Sequence, residues 1–276
     1  MRATIIATAP NGGRKTKADH PYLPLTTDGI LRTAEECLNA GSAFFHLHIR
    51  DDNGKHTLDA QRYKQTLQAL KHCFHDDLFV QITTESVGLY QPHEQIQSVK
   101  EVHPEAVSLG LKEIIPSQEY IPQAQEFFHW LEDERIHYQI ILYHPDELLY
   151  LKQLMEQNII PKRRHSVLFV LGRYEEKGTS SPLDLIDFIA NNKQQHLWMV
   201  CAFGILETTI AQAVISLGGD MRVGFENNLY LPNGELAQKN SDLVKLTTQS
   251  IQHIHKKPAT AQEIRHQLEA LFYSCL

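Results

Sequence analysis

The sequence predicts an α/β chain that closes into a (β/α)8 TIM barrel with a C-terminal helical extension. Three observations carry this prediction. Eight short runs rich in β-branched and apolar residues recur along 276 residues. Each run is apolar on both faces, as strands buried in a parallel sheet must be. Segments of helical periodicity lie between the runs, so that strand and helix alternate, which in a chain of this length fills a closed barrel. An open, doubly wound sheet is the structural rival.

The elements follow in order. The first strand is "TIIATA" (4–9), and the helix "TTDGILRTAEECLNAG" after it opens on a Thr cap and closes on Gly41. The second strand, "AFFHLHIR" (43–50), precedes the helix "LDAQRYKQTLQALKHCF", and the third, "LFVQITTE" (78–85), precedes "EQIQSVKEV". "AVSLGL" (106–111) leads to "IPQAQEFFHWLEDE", "YQIILYH" (138–144) to "DELLYLKQLMEQN", and "SVLFVLG" (166–172) to "PLDLIDFIANN". The last two strands are "LWMVCAFG" (197–204) and "MRVGFEN" (221–227). From Asn240 onward, "NSDLVKLTTQSIQHIHKK" reads as the eighth helix and "TAQEIRHQLEALF" as an extra one, begun by a Thr-x-x-Glu capping pattern. No linker or low-complexity tract interrupts the alternation, so residues 1–276 are expected to form a single domain.

Composition excludes several classes. The net charge of −7 is mild and both signs are interspersed, with no basic stripe for nucleic acid and no polybasic segment for a membrane surface. No run approaches the roughly 18 apolar residues of a membrane span. The expected partners are small molecules or further copies of the chain. Cys37, Cys73, Cys201 and Cys275 are scattered without a CxxC, which argues against a disulfide framework and a thiolate zinc site and fits a reducing cytoplasm. The first residues, "MRATIIATAPNGG", hold too short an apolar run for a signal segment and read as a strand.

In such a barrel the reactive groups gather at the C-terminal ends of the strands. Side chains alternate along a strand, so His46 and His48 project to one face while Leu47 and Ile49 project to the other. In the eighth strand the same rule groups Arg222, Gly224 and Glu226. Closure brings strand 8 near strand 2 with only strand 1 between them, so Glu226 can reach the two imidazoles. Two histidines, one carboxylate and an open position form the ligand set of catalytic zinc or another divalent metal, which would act as a Lewis acid on a substrate carbonyl and stabilise a developing enolate. The bland alternative is a hydrogen-bonded histidine pair in a polar barrel core, since the chain has 16 histidines.

Other strand ends are less specific. "NGG" carries neither phosphate-loop pattern and reads as a tight turn. His144 is placed to contact substrate at the mouth, although a helix cap by Asp146 explains that loop equally well. Cys201 reads as small packing rather than as a nucleophile.

Together, "APNGG" with "LPLT", then "HLHIRDDNG", "QITT", "FVLGR" and "GGDMRVGFENNLY", resemble the β-keto acid cleavage enzymes over nearly the whole chain. The resemblance implies a zinc-dependent barrel, usually a homotetramer, that converts a β-keto acid and acetyl-CoA into acetoacetate and a new acyl-CoA. It places the zinc ligands on His46, His48 and Glu226, the substrate-anchoring arginine on Arg222, and substrate-binding hydroxyls on Thr83 and Ser108. The extra C-terminal helix offers a contact surface for such an assembly.

Three departures from the family pattern bear on the chemistry. The family often has Asp after the metal-binding Glu, where it works with the arginine, but this chain has Asn227, whose amide cannot serve as a general base. Glu85 shares the inward parity of Gln81 and Thr83 and is expected to supply the base instead, the alternative being a surface or supporting carboxylate. Arg14 occupies the loop where the founding enzyme has a glutamate, which implies a neutral or acidic substrate tail; solvation of a turn or contact with CoA phosphates explains it equally. Three rival functions remain: metal-dependent hydrolysis of the amidohydrolase kind, which fits poorly because its histidine pair belongs on strand 1; an aldolase or lyase that does not need CoA; and a non-catalytic metal-binding barrel.

Overall fold

Alternation of apolar side chains on both faces of short strands leaves a sheet no solvated side, and the chain resolves this by closing the sheet and wrapping it with helices. The computed structural model describes residues 2–173 and 180–274. In chain order the elements are β1 (Ile6–Thr8), α1 (Thr27–Ala40), β2 (Phe44–Leu47), β3 (Ile49–Arg50), β4 (His56–Thr57), α2 (Ala60–Phe74), β5 (Phe79–Thr83), α3 (Pro92–Val102), β6 (Ala106–Gly110) and α4 (Leu111–Ile114). They continue with α5 (Ile121–Asp133), β7 (His137–Leu142), α6 (Glu147–Glu156), β8 (Ser166–Leu171), α7 (Asp184–Asn191), β9 (Leu197–Ala202), α8 (Glu207–Ser216), β10 (Asp220–Val223), α9 (Asn240–His253) and α10 (Ala261–Phe272). Eight of the strands form a closed barrel in the order β1-β10-β9-β8-β7-β6-β5-β2, every pairing parallel. This is the (β/α)8 architecture expected from the alternation.

The core divides as the strand parity requires. Ile6, Phe45, Leu47, Ile82 and Val107 face the helical layer and pack with residues such as Tyr63, Phe127 and Leu151. Ile5, Ala7, Phe44, Phe79 and Ala106 face inward at the N-terminal end of the barrel, where Ala261, Ile264, Leu268 and Leu271 of α10 join them. The C-terminal extension is therefore a plug, its apolar stripe buried under the barrel floor. Its start is anchored by a Thr260–Glu263 capping box.

All eight barrel strands end earlier than read, and two of these endings shape the site. The second, read as 43–50, breaks after Leu47; Ile49 and Arg50 turn away to pair antiparallel with Thr57 and His56. Asp51 Oδ1 accepts from the backbone N–H groups of Asn53 and Lys55 at 2.9 and 2.8 Å and closes that hairpin. The eighth, read as 221–227, stops at Val223, because Gly224 adopts φ +133° and starts a turn. A Cβ at position 224 would meet the Ala9 carbonyl oxygen at 2.5 Å, so only glycine lets β10 lie this close to the end of β1.

Among the described residues no helix is long and apolar enough to cross a membrane, and Cys37, Cys73 and Cys201 are free thiols. Cys275 lies outside the described residues, as do Tyr174, Glu175 and Glu176.

Candidate metal centre and catalytic cleft

The end of β2 and the turn after β10 meet as the sequence parity required, although Glu226 stands in the turn and not on the strand. The Glu226 backbone N–H donates to the Ala9 carbonyl at 3.0 Å, which ties this turn to the end of β1 and aims the carboxylate inward. Three atoms then form a small triangle: His46 Nε2 and His48 Nε2 are 3.2 Å apart, and Glu226 Oε2 lies 3.3 Å from the second and 3.6 Å from the first. Ligands held tetrahedrally about 2.0–2.1 Å from a zinc ion sit about 3.4 Å from one another. The triangle therefore has the size of three corners of such a site.

Protonation agrees with that geometry. His46 Nδ1 lies 2.8 Å from Gln81 Oε1, an acceptor, so the ring proton sits there and the Nε2 lone pair faces the triangle. Burial lowers His46 to about 4 and His48 well below its ordinary value, with Arg222 adding to the effect at His46, so both rings are neutral. Burial alone would raise the Glu226 carboxyl, but the Arg222 guanidinium beside it foremost opposes this, and Glu226 stands well below the usual range. Glu226 Oε2 is buried and without a hydrogen-bond partner. Two buried ring nitrogens and an ionised oxygen that converge this closely form a ligand set for a cation, with His46 keeping its proton on Nδ1 towards Gln81 and His48 free to carry its own on Nδ1. The donor set fits zinc or another divalent metal, and no other group of three or more such residues among those described is spaced to hold one.

Arg222, on β10, directs one terminal nitrogen at three acceptors: Glu226 Oε1 at 3.1 Å, Cys201 Sγ at 3.3 Å and Asn227 Oδ1 at 3.4 Å. Asn227 donates back through Nδ2 to the Arg222 carbonyl at 3.1 Å. Cys201 is thus a buried neighbour of the guanidinium, and burial raises its thiol.

Glu85 stands on the other side of the histidines. Its Oε2 is 3.9 Å from His48 Nδ1, its Oε1 is 3.9 Å from Arg14 Nε, and Arg173 is ion-paired with it. Burial raises its carboxyl while Arg173 opposes the rise. Thr83 Oγ1 accepts from the Glu85 backbone N–H at 3.0 Å. Ser108 is the register partner of Thr83, and its buried hydroxyl has no hydrogen-bond partner among the described residues.

The triangle lines an inner cavity of about 20 Å³ together with Thr83, Glu85 and Arg222. Beside it, sharing Glu85, Arg173 and Glu226 as lining, lies a cleft of about 380 Å³ walled by Gly12, Gly13, Arg14, Lys15 and Phe203. A larger groove of about 970 Å³ lies at the opposite end beside Pro258 and Arg265, away from this chemistry. The "NGG" turn forms the cleft wall by close approach: Gly12 has φ +60°, and a Cβ there would lie 2.6 Å from Glu226 Cγ. Lys15 Nζ donates to the Glu226 carbonyl at 2.6 Å, and Arg50, buried, donates to the carbonyls of Gly12 and Lys15.

His46, His48, Glu226, Arg222, Glu85 and Thr83 line the inner cavity, Asn227 stands behind it against Arg222, and Arg14 lines the adjoining cleft. His144 does not line the inner cavity: it is exposed, and Ile141 on β7 and Tyr143 just past its end do so instead. Gln139, Ile141 and Tyr143 share the inward parity and His144 has the other. Asp146 makes no side-chain cap; Glu147 Oε2 accepts from the Tyr143 N–H at 2.6 Å and holds this loop instead. Sequence reasoning missed Arg50, Arg173 and the tether made by Lys15, since all three act from loops or strand tips that no periodicity places. Gln81 could have been found, because it shares parity with Thr83 and register with His46.

Comparison with known proteins bears on this arrangement. A family-level sequence profile described as "beta-keto acid cleavage enzyme" matches residues 3–269. The chain is 30% identical over 272 residues to a 3-keto-5-aminohexanoate cleavage enzyme of Fusobacterium nucleatum, covering 96% of this chain and 97% of that one. It is 24% identical over 306 residues to a 3,5-dioxohexanoate:acetyl-CoA acetone transferase of Paraburkholderia graminis, covering 97% and 96%. The apo structure of ObcA superimposes with a TM-score of 0.72 at 15% identity, covering 90% of this chain and 66% of that chain, a likeness of fold.

Proposed function

The chain belongs to the β-keto acid cleavage enzyme family, and from that premise we propose that it transfers acyl groups between a β-keto acid and acetyl-CoA, with zinc held by His46, His48 and Glu226. The observation that carries the reading is the spacing of that triangle, flanked by Arg222 on one side and Glu85 on the other, beside an open cleft.

The roles follow from position. A bound divalent cation supplies positive charge to the keto and carboxylate oxygens of the substrate, which acidifies the hydrogens at C2. Arg222 pairs with the substrate carboxylate. Glu85, its basicity increased by burial, takes the C2 proton on its carboxylate. The C2 carbanion takes the acetyl group from acetyl-CoA and releases the CoA thiolate. The thiolate adds to the original keto carbon, the bond from that carbon to C2 breaks, and the acyl group leaves on CoA. Glu85 returns its proton to C2 of the acetoacetate. Thr83 and Ser108 donate hydrogen bonds to substrate oxygens, and Asn227 holds Arg222 without serving as a base.

Arg14 and Lys15 at the cleft wall favour a substrate tail that is neutral or acidic. Assembly as a homotetramer, which rests on the family resemblance, and residence in the cytoplasm, which rests on the scattered cysteines, complete the proposal. The test is a panel of β-keto acids incubated with acetyl-CoA and the purified protein, followed by mass spectrometry of the CoA esters. A new acyl-CoA that requires both substrates supports the reading; no new ester from any member of the panel rejects it.

A further inference from the structure

Glu85 stands past the last residue pairs of its strand, Leu47 with Ile82 and Thr83 with Ser108. The backbone that carries it is held instead by side chains from four other elements. The Thr83 carbonyl accepts from the Tyr63 hydroxyl of α2 at 3.2 Å, the Thr84 carbonyl from Gln95 Nε2 of α3 at 2.5 Å, and the Glu85 carbonyl from His56 Nε2 of β4 at 2.8 Å. The Ser86 N–H donates to Glu113 Oε2 of α4 at 3.0 Å.

Gln95 joins two of these contacts. Fully buried, its Nε2 also donates to Glu113 Oε2 at 3.0 Å. One amide thus bridges the carbonyl just before Glu85 and, through Glu113, the N–H just after it. Both partners of Nε2 are acceptors, and a flipped amide would turn its oxygen against a carbonyl and a carboxylate, so the orientation is fixed. Gln95 Oε1 is buried without a hydrogen-bond partner among the described residues, a cost that a side chain serving only to fill space would not carry. Small displacements matter at Glu85, which lines the inner cavity with Oε2 3.9 Å from His48 Nδ1. A reacting group misplaced by about 1 Å can lose on the order of a hundredfold in rate.

We propose that Gln95 is a positioning residue for the general base: with Glu113 it clamps the backbone on both sides of Glu85 and so sets where the carboxylate meets C2 of the substrate. The inference rests on the reading of Glu85 as the base and adds the residue that aims it.

Gln95→Met keeps the bulk of the side chain and removes both donors. Gln95→Asn keeps the amide but draws it back by one methylene, and it decides the matter if the first variant does not fold. Each is placed, metal-loaded, in the unsubstituted chain and in Glu85→Gln. Two rates are read: kcat with acetyl-CoA, and exchange of the C2 hydrogens of acetoacetate in D2O without acetyl-CoA, followed by NMR above the uncatalysed rate. In the unsubstituted background both are expected to fall about tenfold to a hundredfold, with KM for acetyl-CoA and metal content little changed. In the Glu85→Gln background, where no base remains to be aimed, the same substitutions add less than about twofold. A merely structural Gln95 would lower the rates of both backgrounds alike. Amide hydrogen exchange in the peptide spanning residues 83–87, read in the metal-free protein, is expected to quicken. Undiminished kcat and C2 exchange, an equal loss with and without Glu85, or unchanged amide protection overturns the proposal. C2 exchange without thioester exchange in the unsubstituted protein rejects the proposed acyl transfer, while the C2 rates still decide Gln95. No C2 exchange in the unsubstituted protein removes the base and this proposal with it.

Discussion

Glu226 divides its carboxylate between two neighbours: Oε1 accepts from Arg222 at 3.1 Å, while Oε2 lies 3.3 Å from His48 Nε2. One side chain thus belongs both to the candidate metal triangle and to the guanidinium proposed here as the substrate anchor. Its loss differs in kind from loss of a histidine, because it also frees a buried guanidinium.

His46→Ala and Glu226→Gln are both expected to lose the bound divalent cation and to lower kcat/KM by on the order of a hundredfold or more. Only Glu226→Gln should also disturb Arg222, and so weaken binding of the carboxylate probe malonate to the metal-free protein. Metal content by mass spectrometry and calorimetry check the two halves. A full metal complement in both variants would remove these residues from the site.

Glu85→Gln keeps the shape of the side chain and removes the base. The expected outcome is a fall in kcat of about 10²–10⁴-fold with KM for acetyl-CoA little changed. Steady-state kinetics decide it. Unchanged turnover would leave Glu85 as no more than a partner for Arg173.

Arg14 is two-thirds exposed and flanks the cleft. If it reads an acidic tail, Arg14→Ala raises KM for dicarboxylic β-keto acids and spares neutral ones. An equal rise in KM for acetyl-CoA with every substrate would assign Arg14 to the CoA phosphates.

Acid should weaken the fold before it protonates most carboxylates. Burial holds His137 and His196 at about 4, against an ordinary 6.5. The unfolded chain therefore binds these protons first. Their contribution is complete above pH 6.5 and is lost as pH falls from there to 4, up to about 3 kcal/mol for each. Urea midpoints at pH 7 and 4.5 measure it: a lower midpoint at 4.5 is expected, with a shallower pH dependence in His137→Gln. Equal midpoints would contradict the assignment.

Gly12→Ala should be damaging out of proportion to its size. The backbone is left-handed there and the added methyl meets Glu226 Cγ at 2.6 Å. A lowered melting temperature and weaker metal retention are expected. A variant with unchanged metal affinity would show that the "NGG" wall does not brace Glu226.

The barrel was legible in the sequence because strands buried on two faces leave an unmistakable apolar signature, and the metal triangle because alternation fixes which residues share a face. Legibility ended where strands ended. "RVGFEN" reads as continued alternation, yet Gly224 breaks it, and Glu226 reaches the histidines through a turn held by Ala9. The β3–β4 hairpin was hidden inside a run that looked like one strand. His144 is exposed on the loop after β7 and does not line the inner cavity, and a loop tip gives no face to count from. The role of Arg50 was invisible for a deeper reason: it holds the carbonyls of Gly12 and Lys15, more than thirty positions away, through contacts that only closure of the barrel creates. The role of α10 as a floor plug was likewise set by tertiary packing, its capping box alone being readable.

The most direct test of the central claim is the fate of label from [¹³C₂]acetyl-CoA in a reaction with a β-keto acid that the protein turns over. Acyl exchange predicts that both labelled carbons appear in acetoacetate, as its keto and methyl carbons, and that the new acyl-CoA carries an unlabelled acyl group. Cleavage of the β-keto acid without acetyl-CoA, or acetoacetate free of label, would contradict the account and favour a lyase.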